Sequence, residues 1–134
     1  MKRLLIALAV AMLACSMLAA AEYATLEGTI TGISKYGNAA TDITSAPAEG
    51  YEPGDMVTIT IGDYSAPALL GTDYSNVDSG SLVAVVEDTG IEIAVNYGSF
   101  ATVSGAQIGD TVTIDMLEKG GYAEEYAIRQ LERT

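Results

Sequence analysis

The sequence predicts an all-β domain, a small barrel or sandwich of about seven strands followed by a short C-terminal helix. Three observations predict this fold class. Short apolar segments alternate with polar residues at a period of two along most of the chain. Turns that contain many of the 14 glycines separate these segments. A chain of 134 residues is also long enough for one domain with one hydrophobic core.

Seven segments have the alternation or the β-branched composition of strands. In chain order they are residues 25–34, 40–43, 57–61, 66–70, 82–87, 91–96 and 112–117. Pro67 has no backbone N–H, so the fourth segment is predicted to be an edge strand. The third and seventh segments each follow a Gly-Asp turn, which is predicted to start the strand. The last residues, 121–134, have the spacing of a short docked helix.

The N-terminus is predicted to be a secretory signal peptide, residues 1–21, which leaves 22–134 as a single domain. Lys2 and Arg3 precede an apolar run, and a small-residue cleavage site follows it. The run is too short to span a bilayer, so no membrane span is expected. Cys15 lies inside this leader, either as a lipid attachment site or as a chance cysteine. We therefore expect an exported protein that is periplasmic, secreted or anchored by lipid.

Composition excludes several classes of partner and chemistry. A net charge of −12 opposes binding to nucleic acid. The chain has no histidine, which removes the commonest general base and transition-metal ligand. Asp73, Asn76 and Asp78 offer oxygen atoms at loop spacing, but they lack the full spacing of a calcium loop and a closing Glu. They are interpreted as a solvated turn, and no metal or cofactor is expected.

Five motifs follow one another between residues 26 and 118. They are residues 33–43 (ISKYGNAATDI), Pro53-Gly54-Asp55, Tyr74-Ser75-Asn76-Val77, residues 89–98 (TGIEIAVNYG) and Gly109-Asp110. In this order they resemble the C-terminal domain of the S-adenosylmethionine (SAM) hydroxide adenosyltransferases and the SAM-dependent chlorinases and fluorinases. The resemblance implies a closed Greek-key β-barrel. It also implies that the water- or halide-activating residues belong to a separate N-terminal domain, so catalysis by this chain alone is not expected.

The resemblance implies that the barrel carries the adenine side of the family's binding site. The corresponding residues here are Tyr36, Asn38, Tyr74, Val95, Asn96 and Tyr97. An Asn amide offers the donor and acceptor pair that an adenine edge requires. The methionine side departs from the family, because Ser34, Asp88 and Thr89 replace its ligands and Asp88 would repel a carboxylate. Adenosine or another flat aromatic is therefore a more fitting ligand than SAM.

These residues also have structural interpretations that need no ligand. Asn38 follows Gly37 and suits a turn with positive φ. The three tyrosines are typical of strand ends that cap a core, and Glu87 and Glu92 are typical of the wet face of a strand.

Three functions remain open at the level of sequence. The first is an exported, non-catalytic barrel that acts as a structural or interaction module, with a protein partner or a second copy of itself. The second is a binding module for nucleosides or similar small ligands. The third is a subunit that completes a split SAM hydrolase with a separately encoded catalytic domain.

Overall fold

The computed structural model describes residues 23–122, which form a closed barrel of seven strands. The strands are β1 (Leu26–Ile33), β2 (Ala39–Thr41), β3 (Met56–Ile61), β4 (Tyr64–Gly71), β5 (Leu82–Glu87), β6 (Gly90–Val95) and β7 (Thr111–Glu118). A 3₁₀ helix (Tyr74–Asn76) and one short α-helix, α1 (Phe100–Ser104), interrupt the β structure. The predicted all-β barrel is confirmed. The predicted leader with Cys15 lies outside the described residues, as does the C-terminal helix beyond Tyr122.

The strands close in the order β1-β2-β6-β5-β4-β3-β7, with β7 paired to β1. Neighbours are antiparallel except β4 and β5, which pair in parallel from Leu69↔Val83 to Gly71↔Val85. The connections from β2 to β3 and from β6 to β7 link strands that are not neighbours, as Greek-key connections do. No helix within residues 23–122 is long and apolar enough to cross a membrane.

The period-two alternation of each strand explains the core. One face fills the barrel with fully buried apolar side chains, among them Ile30, Ile59, Leu70, Ala84, Ile93 and Ile114. The opposite faces of β4, β5 and β6 are buried as well. There a second cluster of Leu69, Val83, Val85 and Ala94 packs with Val77 from the connection between β4 and β5. This connection, residues 72–81, therefore lies on the outside of the barrel.

Pro67 corrects one expectation. It lies within β4 opposite Thr58 of β3, and β4 is not an edge strand because it has a neighbour on each side. The pairing with β5 begins only at Leu69, however, so β4 has a single neighbour at Pro67. The missing N–H falls where one side of the strand is unpaired, which is how a closed barrel accommodates this proline.

Both predicted Gly-Asp turns are present and share their geometry. In the first Gly-Asp turn (residues 52–55), Asp55 Oδ2 accepts a hydrogen bond from the Glu52 N–H at 2.7 Å. In the second (residues 107–110), Asp110 Oδ2 accepts one from the Gln107 N–H at 2.9 Å. Met56 of β3 and Thr111 of β7 follow immediately. Each aspartate therefore fixes the turn that starts its strand, as predicted.

Candidate functional site

The six residues assigned to the adenine side line one cavity of about 520 Å³, here called the tyrosine pocket. Its lining consists of Tyr36, Asn38, Tyr74, Ala94, Val95, Asn96, Tyr97 and Gly98. Three segments meet there: the loop between β1 and β2, the connection between β4 and β5, and the end of β6. Residues far apart in the chain are brought together because β2 pairs with β6 and β6 pairs with β5.

The loop between β1 and β2 holds Asn38 in a fixed position. Ser34 Oγ accepts hydrogen bonds from the backbone N–H groups of Tyr36 and Asn38, both at 3.2 Å. Gly37 has φ +84°, and its carbonyl accepts from the Ala101 N–H of α1 at 2.9 Å. A Cβ on Gly37 would overlap the Ser99 side chain. Helix α1, which the sequence pattern did not predict, therefore braces the loop.

Asn38 is not a turn residue, contrary to the structural interpretation of the sequence. Gly37 supplies the positive φ, and among the described non-glycine residues only Tyr97 has one. The Asn38 residue is buried to 9% exposure and lines the pocket beside Tyr74. The backbone geometry therefore does not explain why this position carries an asparagine.

Tyr74 is presented by a capped 3₁₀ helix. Asp73 caps it by accepting from the Ser75 N–H at 2.9 Å. Asn76 Oδ1 accepts from the backbone N–H groups of Thr72 at 2.8 Å and of Asp73 at 3.0 Å. The side chains of Asp73 and Asn76 thus bind the loop's own backbone. Among residues 23–122 no cluster of three or more acidic, cysteine or histidine side chains could hold a metal ion.

The Tyr74 hydroxyl donates a hydrogen bond to Glu92 Oε1 at 2.9 Å. Burial, together with this hydrogen bond and the negative charges of Glu92 and Glu87, raises the pKa of Tyr74 to about 12. The neighbouring Asn38 side chain acts on the pKa of Tyr74 in the opposite direction. The Tyr74 hydroxyl is therefore held as a donor to Glu92.

Glu92 lies on the outer face of β6, as expected of a wet strand face, but it is only partly exposed there. Its side chain is half-buried and accepts from Tyr74, whereas Glu87 is exposed as predicted. A signal was available in the sequence. Ala94 lies two residues along on the same face of β6, where a small side chain leaves room for an aromatic ring.

Tyr36 and Tyr97 do not cap a core, contrary to the structural interpretation. They are 67% and 90% exposed, and neither packs against the described core clusters. Tyr97 takes φ +56°, a left-handed conformation that costs an ordinary side chain about 1–2 kcal/mol. Lys35 Nζ lies 5.1 Å from the centroid of the Tyr36 ring, which is a cation–π distance. Both rings therefore lie at the rim of the pocket, where Tyr97 is open to solvent and Tyr36 has Lys35 over one face.

Val95 and Asn96 form the floor at the end of β6. Asn96 Nδ2 donates to the Val77 carbonyl at 2.8 Å, and its backbone N–H donates to the Ser81 carbonyl at 3.1 Å. Gly98 N–H donates to the Val95 carbonyl at 3.0 Å and closes the turn. Asn96 is thus engaged in tying β6 to the connection between β4 and β5.

The residues on the methionine side are not brought together. Ser34 supports the loop that carries Asn38, while Asp88 and Thr89 form the exposed turn between β5 and β6. The β5–β6 ladder runs from Leu82↔Val95 to Glu87↔Gly90. At about 3.4 Å per residue, that turn lies about 17 Å from the pocket end of the ladder.

Comparison with known proteins identifies relatives of this barrel. The family model described as the SAM hydroxide adenosyltransferase C-terminal domain matches residues 28–113. An uncharacterized conserved protein from Thermotoga maritima has a similar crystal structure, with 26% identity and a TM-score of 0.63 over 68% of this chain. A conserved hypothetical protein from Thermus thermophilus has 27% identity and a TM-score of 0.51 over 71%. The match spans 36% of the length of each. No curated protein matches the chain.

Proposed function

Because the chain belongs to the SAM hydroxide adenosyltransferase C-terminal domain family, we propose that its tyrosine pocket binds the purine ring of an adenosine-type nucleoside. One observation carries the proposal. The six residues that the family resemblance assigns to the adenine side line a single cavity, although they come from three separate segments. The cavity volume lies within the range of about 300–1,000 Å³ that small-molecule sites occupy.

The chemistry of the lining supports a flat, heteroaromatic ligand. Tyr36 and Tyr97 expose ring faces at the rim, where a purine can stack. The Asn38 side chain carries both donor and acceptor atoms, which match the donor and acceptor of an adenine edge. Asn38 is buried in a braced loop, so its amide is ordered before any ligand arrives. Such preorganisation lowers the entropic cost of binding.

The proposal includes export and excludes catalysis by this chain alone. A basic start followed by an apolar run supports export through a signal peptide. The absence of histidine supports a binding role, because no Ser-His or Cys-His pair can be assembled from this sequence. The ligand would then be met in the periplasm or at the cell surface.

Calorimetric titration of the protein with adenosine, SAM and methionine tests the proposal. We expect saturable binding of adenosine and no response to methionine. Asn38→Asp keeps the size of the side chain but removes its N–H donors, and it should abolish the binding of adenosine. Tyr74→Ala should weaken it about tenfold, because one aromatic stacking contact contributes about 1–3 kcal/mol.

Tyr122→Ala is the matched control. Tyr122 is 36% exposed, close to the 39% of Tyr74, but it lines a different cavity between β4 and β5. Adenosine binding that survives Tyr122→Ala, is weakened in Tyr74→Ala and is lost in Asn38→Asp supports the proposal. Absence of adenosine binding in a cooperatively folding sample contradicts it.

A second function, a protein-interaction module, is favoured by the exposure of the same tyrosines. Tyr97 is almost fully exposed, and tyrosine is enriched at the centres of protein interfaces. Asn38 separates the two functions because it is buried, whereas Tyr97 is open to any partner. A partner whose binding is lost in Tyr97→Ala and kept in Asn38→Asp would identify an interaction surface.

A further inference from the structure

The outer surface of the barrel carries a second cavity, of about 320 Å³, here called the β4–β5 groove. It lies where β4 and β5 separate, because the two strands pair over only three residues of each. Its wall consists largely of apolar side chains, of which Leu69 and Val77 also belong to the second buried cluster. Pro67 is exposed in this wall, while Met56 and Leu82 are half-buried. The groove therefore presents apolar surface that a further packed element would remove from water.

The backbone of β4 limits what can fill the groove. The Leu70 N–H donates to the Asp55 carbonyl at 2.9 Å, and the Leu70 carbonyl accepts from the Gly54 N–H at 2.8 Å. Leu70 therefore faces β3, and alternation along the strand directs the backbone of Pro67 towards the groove. Proline has no N–H, so a strand added at this edge would lack a ladder hydrogen bond. An element held by side chains, such as an amphipathic helix, fits the groove better than an added strand.

The chain itself reaches the groove at the last described residue. Tyr122 lines the groove, and its N–H donates to the Gly54 carbonyl at 3.0 Å. Residues 123–134 follow directly and lie outside the described residues. A helix of these twelve residues would be about 18 Å long, less than the roughly 27 Å of the eight residues of β4. The segment is therefore close enough and long enough to cover the groove.

The sequence of this segment complements the groove in polarity and in charge. Its apolar residues recur at helical spacing, and four of them share one predicted face. They are Ala123, Tyr126, Ala127 and Leu131. The segment also contains Arg129 and Arg133, two of the six basic residues of the chain. The groove has Asp78 in its wall, so positive charge in the segment meets negative charge in the barrel.

We propose that residues 123–134 form an amphipathic helix that packs in the β4–β5 groove, with Leu131 among its apolar contacts. A helix of this length is marginal alone in water, and burial of its apolar face supplies the missing stabilisation. The inference goes beyond the proposed function, because it gives a second surface of the barrel an occupant from the chain itself. The groove would then be closed to outside ligands, unlike the tyrosine pocket.

Thermal unfolding of the full chain tests the docking. Leu131→Ser removes an apolar contact and should lower the Tm by about 5 °C. Glu132→Ser is the matched control, since the neighbouring residue lies on the predicted polar face. It should leave the Tm unchanged to within about 2 °C.

A double-mutant cycle locates the docking. Leu82 lines the groove, so the Tm loss of Leu82→Ser combined with Leu131→Ser should fall short of the sum of the single losses. Val103 is exposed on α1 and does not line the groove, so Val103→Ser should be additive with Leu131→Ser. Backbone amide resonances give a second readout. Leu131→Ser should shift those of Val77 and Leu82 and leave those of β1 and β2, on the opposite wall, unchanged.

Each contrary outcome has one meaning. An unchanged Tm in Leu131→Ser would overturn the docking, and full additivity with Leu82→Ser would overturn its location. A Tm loss that varies with protein concentration would mean that the segment fills the groove of a second copy, which overturns docking within one chain. None of these measurements involves adenosine, so their failure and the failure of the proposed function are separate results.

Discussion

The first Gly-Asp turn and the tyrosine pocket differ in how far their side chains are buried and hydrogen-bonded. Asp55 is 2% exposed and accepts hydrogen bonds from the N–H groups of Glu52 and Gly120 and from Lys119 Nζ. In the pocket, Tyr97 lies largely in solvent and takes a strained backbone conformation. The turn uses the Asp55 carboxylate to hold the fold, whereas the pocket leaves the Tyr97 ring available. Stability and binding should therefore respond to different substitutions.

The largest expected effect is the loss of stability in Asp55→Ala. The substitution removes three hydrogen bonds, one of them to the Lys119 ammonium, and should lower the free energy of unfolding by about 3 kcal/mol. Asp110→Ala in the second Gly-Asp turn is the matched control. It removes the equivalent turn bond without an ammonium partner and should cost about 1 kcal/mol.

Denaturant unfolding of the two variants measures this difference. Equal losses would show that Lys119 and Gly120 add nothing to the turn and would remove one side of the comparison. If both variants remain folded at the assay temperature, both should bind adenosine as the original protein does, because neither turn lines the pocket.

Gly37→Ala should lower both stability and binding. A left-handed backbone costs an alanine about 1–2 kcal/mol, and the new Cβ would also overlap Ser99. Gly80→Ala has nearly the same φ, +87°, with nothing within 4 Å of the added Cβ. Gly80→Ala should therefore lose only the stability that the left-handed backbone costs, and it should keep its affinity for adenosine.

Thermal unfolding and adenosine titration of these two glycine variants separate backbone strain from displacement of the loop that carries Asn38. A loss of affinity in Gly37→Ala alone would show that the contact between this loop and α1 positions Asn38. Similar affinities in both variants would contradict that bracing role.

The sequence predicted the strands better than it predicted helix α1 and the Tyr74–Glu92 interaction, which support the pocket. Alternation along residues 82–96 identifies both strands and the turn between them, because burial of one strand face determines register. Helix α1 was missed because five residues are too short for a helical period. The interaction between Tyr74 and Glu92 was missed because it joins residues from separate segments. Local pattern carries no information about which loop folds over which strand face.

Tyr97→Gly should raise the free energy of unfolding slightly, which is opposite to the effect of Gly37→Ala. Glycine relieves the left-handed strain but loses more entropy on folding, so a gain of about 0.5 kcal/mol is expected. Tyr36→Gly, where φ is not positive, should instead cost about 0.5 kcal/mol. Chemical denaturation of both variants measures the contrast. A loss of stability in Tyr97→Gly would mean that the ring contributes to the fold. Tyr97 would then have a stabilising role, as Asp55 has in the first Gly-Asp turn.

The last expected effect is a pH dependence carried by Tyr74, which becomes visible only above pH 10. Its pKa is about 12 in the folded protein against an ordinary value of 10.0, so the unfolded chain releases the proton first. The resulting stabilisation is complete below pH 10 and is lost as the pH rises from 10 to 12. Tyr51 and Tyr64, whose pKa values are also raised by burial, contribute in the same direction. The contribution of Tyr74 is therefore the difference between the original protein and Tyr74→Phe.

Unfolding measured between pH 9 and pH 12 should show a shallower decline of stability in Tyr74→Phe, at about the pH values where tyrosine titrates. Glu92→Gln should fall between the two, because it removes one charge that raises the pKa and leaves burial unchanged. Identical slopes in all three proteins would mean that the hydroxyl is solvated rather than held by Glu92. Tyr74 would then be as free as Tyr97, and the contrast between the pocket and the Asp55 turn would extend to both tyrosines.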